Sequence, residues 1–127
     1  MYGFSKAMDC GFDAAVVRVR DALQKEGFGV LTEIDVKETL KKKLDVDFRK
    51  YVILGACNPP YAHRALTAEL EIGLLMPCNV IVYENDEGGS TVSAVDASLM
   101  AKVTANEELS RVSDDVNKKL QRVIDAL

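Results

Sequence analysis

Along this chain apolar side chains recur with a period of either about two or about 3.6 residues, and the changes of period divide it into short strands and helices. Residues 1–8 predict a short edge strand. Phe12, Ala15, Val16, Val19 and Leu23 then share one face of a helix that Gly27 is placed to stop. Phe28 to Ile34 alternates loosely as a strand, and Asp35 with Glu38 three residues on resembles a capping box opening the next helix. That helix is short. Its apolar stripe is Val36, Leu40 and Leu44, which leaves Lys37, Lys41, Lys42 and Lys43 for water.

Tyr51 to Ala56 is a continuous apolar run, the pattern of a central strand covered on both faces. Asn58-Pro59-Pro60 predicts a helix start, with Asn58 as N-cap and Pro59 at the first helical position, and the helix is expected to run to Met76, where Pro77 ends it. Val80 to Tyr83 and Thr91 to Val95 flank Gly88-Gly89 and read as a hairpin. The last helix carries an apolar seam of Leu109, Val112, Val116, Leu120, Val123 and Leu127. Outside the seam, Glu107 with Arg111, Asp114 with Lys118 and Asp115 with Lys119 are spaced as i, i+4 ion pairs. Crossovers mixed with a hairpin predict an α+β fold with a mixed or antiparallel sheet of about five strands covered by helices. No linker or low-complexity stretch interrupts the periodicity, so one domain over residues 1–127 is expected.

Charge narrows the partners. Sixteen Lys and Arg against twenty Asp and Glu give a net charge of −4, which offers no field to collect phosphate backbones, so nucleic acid is not an expected partner. No stretch approaches the roughly twenty apolar residues of a membrane span, and the first residues lack the apolar core of a secretory signal. Cys10, Cys57 and Cys78 are an odd count, which excludes a complete set of internal disulfides and fits a reducing cytoplasm.

Candidate chemistry concentrates in Gly55 to His63 and in Pro77-Cys78-Asn79, which together hold two of the three cysteines, the single histidine and all three prolines. Cys57, Asn58, Pro59, His63, Cys78 and Asn79 are the candidate ligand-binding residues. Cys57 precedes a proposed helix N-terminus, whose free N–H groups and dipole favour a thiolate; the alternative is a small apolar residue that ends a buried strand. Cys57, with His63 to orient it, is therefore a candidate nucleophile. Glu69 falls on the helix face that should bury, where a desolvated carboxylate is a candidate acid or base. His63, Thr67 and Glu71 share another stripe, expected to be a solvated face. A metal bound by Cys57, His63 and Cys78 together is not expected, because a helix from Pro59 to Met76 is roughly 25 Å long at 1.5 Å per residue and carries Cys78 away from Cys57. No cofactor signature is present: Gly27-Phe28-Gly29 precedes a strand, whereas a dinucleotide loop follows one. Lys41-Lys42-Lys43 reads as a salt-bridged surface, and a sole histidine leaves no catalytic triad outlined.

Gly55-Ala56-Cys57-Asn58-Pro59-Pro60 and Leu74 to Glu84, together with Gly27 to Leu31, Glu33 to Val36, Lys43 and Glu71 to Leu74, carry a resemblance. From about Tyr2 to Asp96 the chain resembles the domain-of-unknown-function family numbered three hundred and two, small bacterial and archaeal proteins. The chain departs from the family pattern at Ala97, where proline is expected. The resemblance implies a compact α+β fold similar to the TATA-box-binding-protein class, and a homodimer, for which the seam of the last helix offers a surface. It implies no activity and no DNA binding. The reading that follows is a cytoplasmic homodimeric module that binds a small ligand or partner near the Cys57-Asn58-Pro59 and Pro77-Cys78-Asn79 turns. The alternatives are a thiol-dependent enzyme or redox sensor using Cys57, and a purely structural interaction protein.

Overall fold

The computed structural model of the chain describes residues 2–127; of the predicted first strand, Met1 lies outside them. Five strands, β1 (Gly3–Met8), β2 (Gly29–Asp35), β3 (Tyr51–Cys57), β4 (Cys78–Glu84) and β5 (Ser90–Val95), form one sheet in the order β1-β5-β4-β3-β2. Every neighbouring pair is antiparallel. The expected α+β class is therefore found in its antiparallel form. Helices α1 (Phe12–Lys25) and α5 (Glu107–Asp125) pack on one face, α3 (Pro59–Ala68) packs against α5, and α2 (Val36–Leu44) stands beside β2 and β3. A helix that the periodicity did not predict, α4 (Ser98–Thr104), lies against α5.

The sheet buries one face. Val52, Leu54 and Ala56 of β3, Val80 and Val82 of β4, and Val92 and Ala94 of β5 meet Val19 and Leu23 of α1 and Leu109, Val112, Leu120 and Val123 of α5 in one core. The β3 run had predicted a central strand covered on both faces. β3 is an interior strand, between β4 and β2, but it is covered on one face only: Tyr51 and Ile53 alternate onto the face away from the helices. There they adjoin Ile34, Ile81 and Tyr83 through the strand register, with Tyr51 and Tyr83 stacked at 5.4 Å between ring centroids. The seam of α5 is already covered by its own chain, so it offers no spare surface for a partner. In place of the i, i+4 ion pairs expected along α5, Glu108 meets Arg111 three residues on in the same helix and Arg64 of α3, at 2.9 Å each, and Arg64 also reaches Asp115.

Two helices depart from their sequence patterns. α2 is capped as expected, with the Asp35 carboxylate accepting the Glu38 N–H at 3.0 Å, yet it buries none of its residues and leaves Leu44 66% exposed. The tight β2-α2-β3 connection holds α2 at the end of the sheet, where no second layer can cover its stripe. Its lysines form the expected salt-bridged surface, Lys42 with Glu38 and Lys41 with Asp45. The helix predicted from Pro59 to Met76 stops at Ala68; Glu69 is extended (φ −150°, ψ 104°) and Leu70–Leu75 is a 3-10 helix. That break shortens the path back to the sheet and decides the site.

Candidate functional site

Where α3 breaks, the chain turns back through the cis peptide Met76-Pro77 and enters β4, whose Cys78 pairs in register with Ala56 of β3. Cys57 is one residue beyond that pair. The two cysteines therefore adjoin at the same end of neighbouring strands, the reverse of the separation a continuous helix would impose. Both line a small pocket closed by Phe28, Asn58, Tyr61, Met76 and Pro77, with Met100 of α4 and Val112 and Val116 of α5. About 40 Å³ of it is open to the centres of water-sized spheres, room for a few waters or one small ligand group. Among the lining residues only Asn58 and Tyr61 are polar, beside the two cysteines.

Each lining residue has a local reason for its position. Asn58 occupies the N-cap position of α3 with extended backbone, but its side chain makes no cap bond; its Nδ2 donates to the Glu26 carbonyl at 3.1 Å and ties the end of α1 to the start of α3. Gly27, at φ 86°, allows that approach, since a Cβ there would lie 3.2 Å from Asn58 Nδ2. Pro59 and Pro60 have no N–H, and the Ala62 N–H is bonded to Asn58 O at 3.0 Å. Of the first three helical positions only Tyr61 keeps an N–H to offer, so the donors expected to hold a Cys57 thiolate are reduced to one. Burial pushes the Cys78 thiol up from 9.0 to about 11, and the neighbouring Cys57 adds to the rise. Cys78 is thus a protonated thiol at neutral pH.

The family profile described as "Domain of unknown function DUF302" matches residues 4–127. This chain belongs to the DUF302 family. The crystal structure of an uncharacterized conserved DUF302 protein from Bacillus stearothermophilus is similar over 99% of this chain and 98% of that one, at 29% identity and a TM-score of 0.91. No curated protein matches the chain.

Within this DUF302 chain the six candidate binding residues divide. Cys57, Asn58 and Cys78 line the pocket. Pro59 is exposed at the start of α3, and Asn79 is exposed on β4. His63 is exposed and opens on a separate cleft with Arg64, Thr67, Asn106 and Glu108, where its carbonyl accepts the Thr67 hydroxyl at 2.7 Å. Glu69 is half-buried at the break after α3, so the continuous helix that placed it on a buried face does not exist. Glu71, in the 3-10 helix, leaves the stripe of His63 and Thr67. Among the described residues no group of three His, Cys, Asp or Glu side chains is disposed to hold a metal ion. Sequence reasoning passed over Tyr61, Met76 and Met100. The first two sit beside the motifs already singled out and were within reach, whereas Met100 enters from α4, for which no periodic signal exists.

Proposed function

We propose that this DUF302 protein is a small-ligand-binding module and that its site is the pocket between the Cys57-Asn58 and Pro77-Cys78 turns. The observation that carries the reading is the convergence of these two turns, 20 residues apart in sequence, on one cavity with apolar walls and a few polar atoms. Concave apolar sites with sparse polar groups are the usual form of a ligand site. The thiol-enzyme alternative is weaker, because His63 opens on a different cleft and the α3 turn offers one N–H. Three free cysteines support a reducing compartment, the cytoplasm. No helix among the described residues is long and apolar enough to cross a membrane.

The same reading takes the protein as a homodimer joined through the sheet face that the helices leave open. By strand alternation that face presents Gly3, Ser5 and Ala7, then Thr91, Ser93 and Val95, then Asn79, Ile81 and Tyr83, and beyond them Tyr51, Ile53, Thr32 and Ile34. None of these is charged. On a chain of net charge −4, it is a surface on which two copies can meet without juxtaposing like charges.

Xenon, an apolar probe of the pocket's size, tests the ligand site. Under xenon pressure the methyl resonances of Met76, Met100, Val112 and Val116 are expected to shift while those of Val82 and Val92 in the sheet core stay in place. Unmoved pocket methyls would make this a closed core and end the reading.

A further inference from the structure

Five of the twelve large apolar side chains that stand exposed among the described residues fall in two short segments: Leu70, Leu74 and Leu75 of the 3-10 helix, and Leu99 and Val103 of α4. The segments adjoin at both ends. The Asn106 side chain, after α4, donates from Nδ2 to the Ala68 carbonyl, before the 3-10 helix, at 3.4 Å, and Met76 and Met100 share the wall of the pocket. They therefore run side by side in opposite directions, Ala68 to Met76 against Asn106 to Met100, and both lead into the pocket. Leu99 and Val103, four residues apart, share one stripe of α4 and face outward, whereas Met100 between them turns inward and is buried. An ordinary surface scatters its apolar residues singly; a cluster of them beside an apolar cavity marks a place that a ligand or partner covers.

We propose that the site binds one free fatty acid, its methyl end in the pocket, the rest of its chain along Leu74, Leu75, Leu99 and Val103, and its carboxylate in water. The proposal rests on the pocket being a binding site and names the class of its ligand. Among the described residues no charged side chain lines the pocket, so it suits the apolar end of an amphiphile and not the head. At about 40 Å³ the cavity holds the tip of a chain rather than a whole molecule, and most of the affinity has to come from apolar surface outside it. The exposed residues of the 3-10 helix and α4 supply that surface. Met76 and Met100, where the two segments enter the pocket, are flexible enough to close around a narrow chain. A bilayer is not the occupant. Its chain ends lie at the midplane, out of reach of a surface pocket, and the two segments hold a single cation, Lys102, against Glu71, on a chain of net charge −4, so nothing draws them to anionic headgroups.

Titration of the full chain with octanoate, decanoate and dodecanoate, each kept below its micelle concentration and read by methyl-labelled methionine, tests this. Met76 and Met100 are expected to shift while Met8, in the core beside β5, does not. Affinity is expected to rise about fourfold for each added methylene, the equivalent of about 0.8 kcal/mol per buried CH₂. Leu74→Ser and Val103→Ser, both at exposed positions, are each expected to weaken dodecanoate binding about fivefold, and Leu44→Ser, equally exposed on α2, to leave it unchanged. Affinity independent of chain length would overturn the proposal, as would a loss in Leu44→Ser in place of Val103→Ser. Capture of the protein by neutral phosphatidylcholine vesicles, with no response to monomeric dodecanoate, would make the two segments a membrane surface and overturn it as well. Xenon shifts without fatty acid binding would overturn the ligand and leave the pocket standing; neither response would end both readings.

Discussion

A side chain at Gly55 has nowhere to go: a Cβ built there overlaps Thr32 Oγ1 of β2 and lies 2.8 Å from Pro77 Cγ. The glycine lets the Met76-Pro77 turn sit down on the sheet beside the pocket, so its function is to admit another residue rather than to bend the backbone. Gly55→Ala is expected to lower stability by about 1–3 kcal/mol, the usual cost of overpacking, measured by urea unfolding. It should also loosen the Cys78 side of the pocket. A change under a few tenths of a kcal/mol would show that Pro77 moves freely. Cys78 itself ties pocket burial to pH. Its folded-state proton is held to about pH 11 against 9.0 for an ordinary thiol, so the folded chain binds more protons than the unfolded chain between those values. The associated stability is complete below pH 9.0 and is lost as pH rises towards about 11, a loss of about 2–3 kcal/mol at most. Tyr51, raised chiefly by burial against the ordinary 10.0, adds a loss of the same sign at the alkaline end. Urea midpoints followed from pH 8 to pH 10.5 should fall more steeply for the wild type than for Cys78→Ala. Parallel curves would show that Cys78 is solvated.

Helix termini, more than helix interiors, explain how the elements are joined. β5 leads into α4 through Asp96, whose carboxylate accepts the Ser98 N–H and hydroxyl and the Asn117 amide, at 2.6–2.9 Å. The Ser98 hydroxyl bond above all, then that of Asn117, holds the Asp96 carboxyl below its usual value. Asn117 Oδ1 in turn accepts the Ala97 N–H at 2.8 Å, which pins the start of α4 to the middle of α5. Proline, expected at position 97 from the family resemblance, has no N–H to give, so this chain's alanine makes a contact that proline would forgo. α4 ends less comfortably. Ala105 follows it in the left-handed region at φ 54°, a conformation that costs an alanine about 1–2 kcal/mol and that glycine adopts freely. Ala105 is exposed and Asn106 next to it caps α5, with its Oδ1 accepting the Glu108 and Leu109 N–H groups. Ala105→Gly is therefore expected to raise stability by about 1 kcal/mol, read as a higher urea midpoint at unchanged slope. A lower midpoint would mean that flexibility between α4 and α5 outweighs the relief.

For the whole molecule the one-sided sheet is where the proposed homodimer can be tested. If the open face joins two copies, sedimentation equilibrium at micromolar concentration gives about twice the chain mass of 13.9 kDa. A lysine at the centre of that face then breaks the pair, because a buried unpaired ammonium costs several kcal/mol on each copy. Ile81→Lys, on the middle strand, is the variant to use, and it leaves the helix-side core untouched. A 13.9 kDa species for the wild type would end the dimer. A dimer that survives Ile81→Lys would move it to another surface, with Leu70 and Leu74, each 83% exposed on the 3-10 helix, the next to change.

The strands, the hairpin, the cap at Asp35, the seam of α5 and the α+β class were legible in the chain, because each is a local period or a local turn preference. The sequence also singled out the two turns that the proposed site joins. Tertiary structure decided how those turns meet. Glu69 sits in a stretch with no glycine or proline to mark a helix end, so nothing local showed that α3 would stop at Ala68. The stop comes from the need to bring β4 into antiparallel register with β3, a long-range constraint that sequence periodicity does not contain. The same constraint sets Cys57 beside Cys78, and α4 then adds Met100 from a segment too short to show a period. Which face of the sheet lies open was likewise undecidable locally, because β3 is apolar at nearly every position and only the placement of α1 and α5 chose a side.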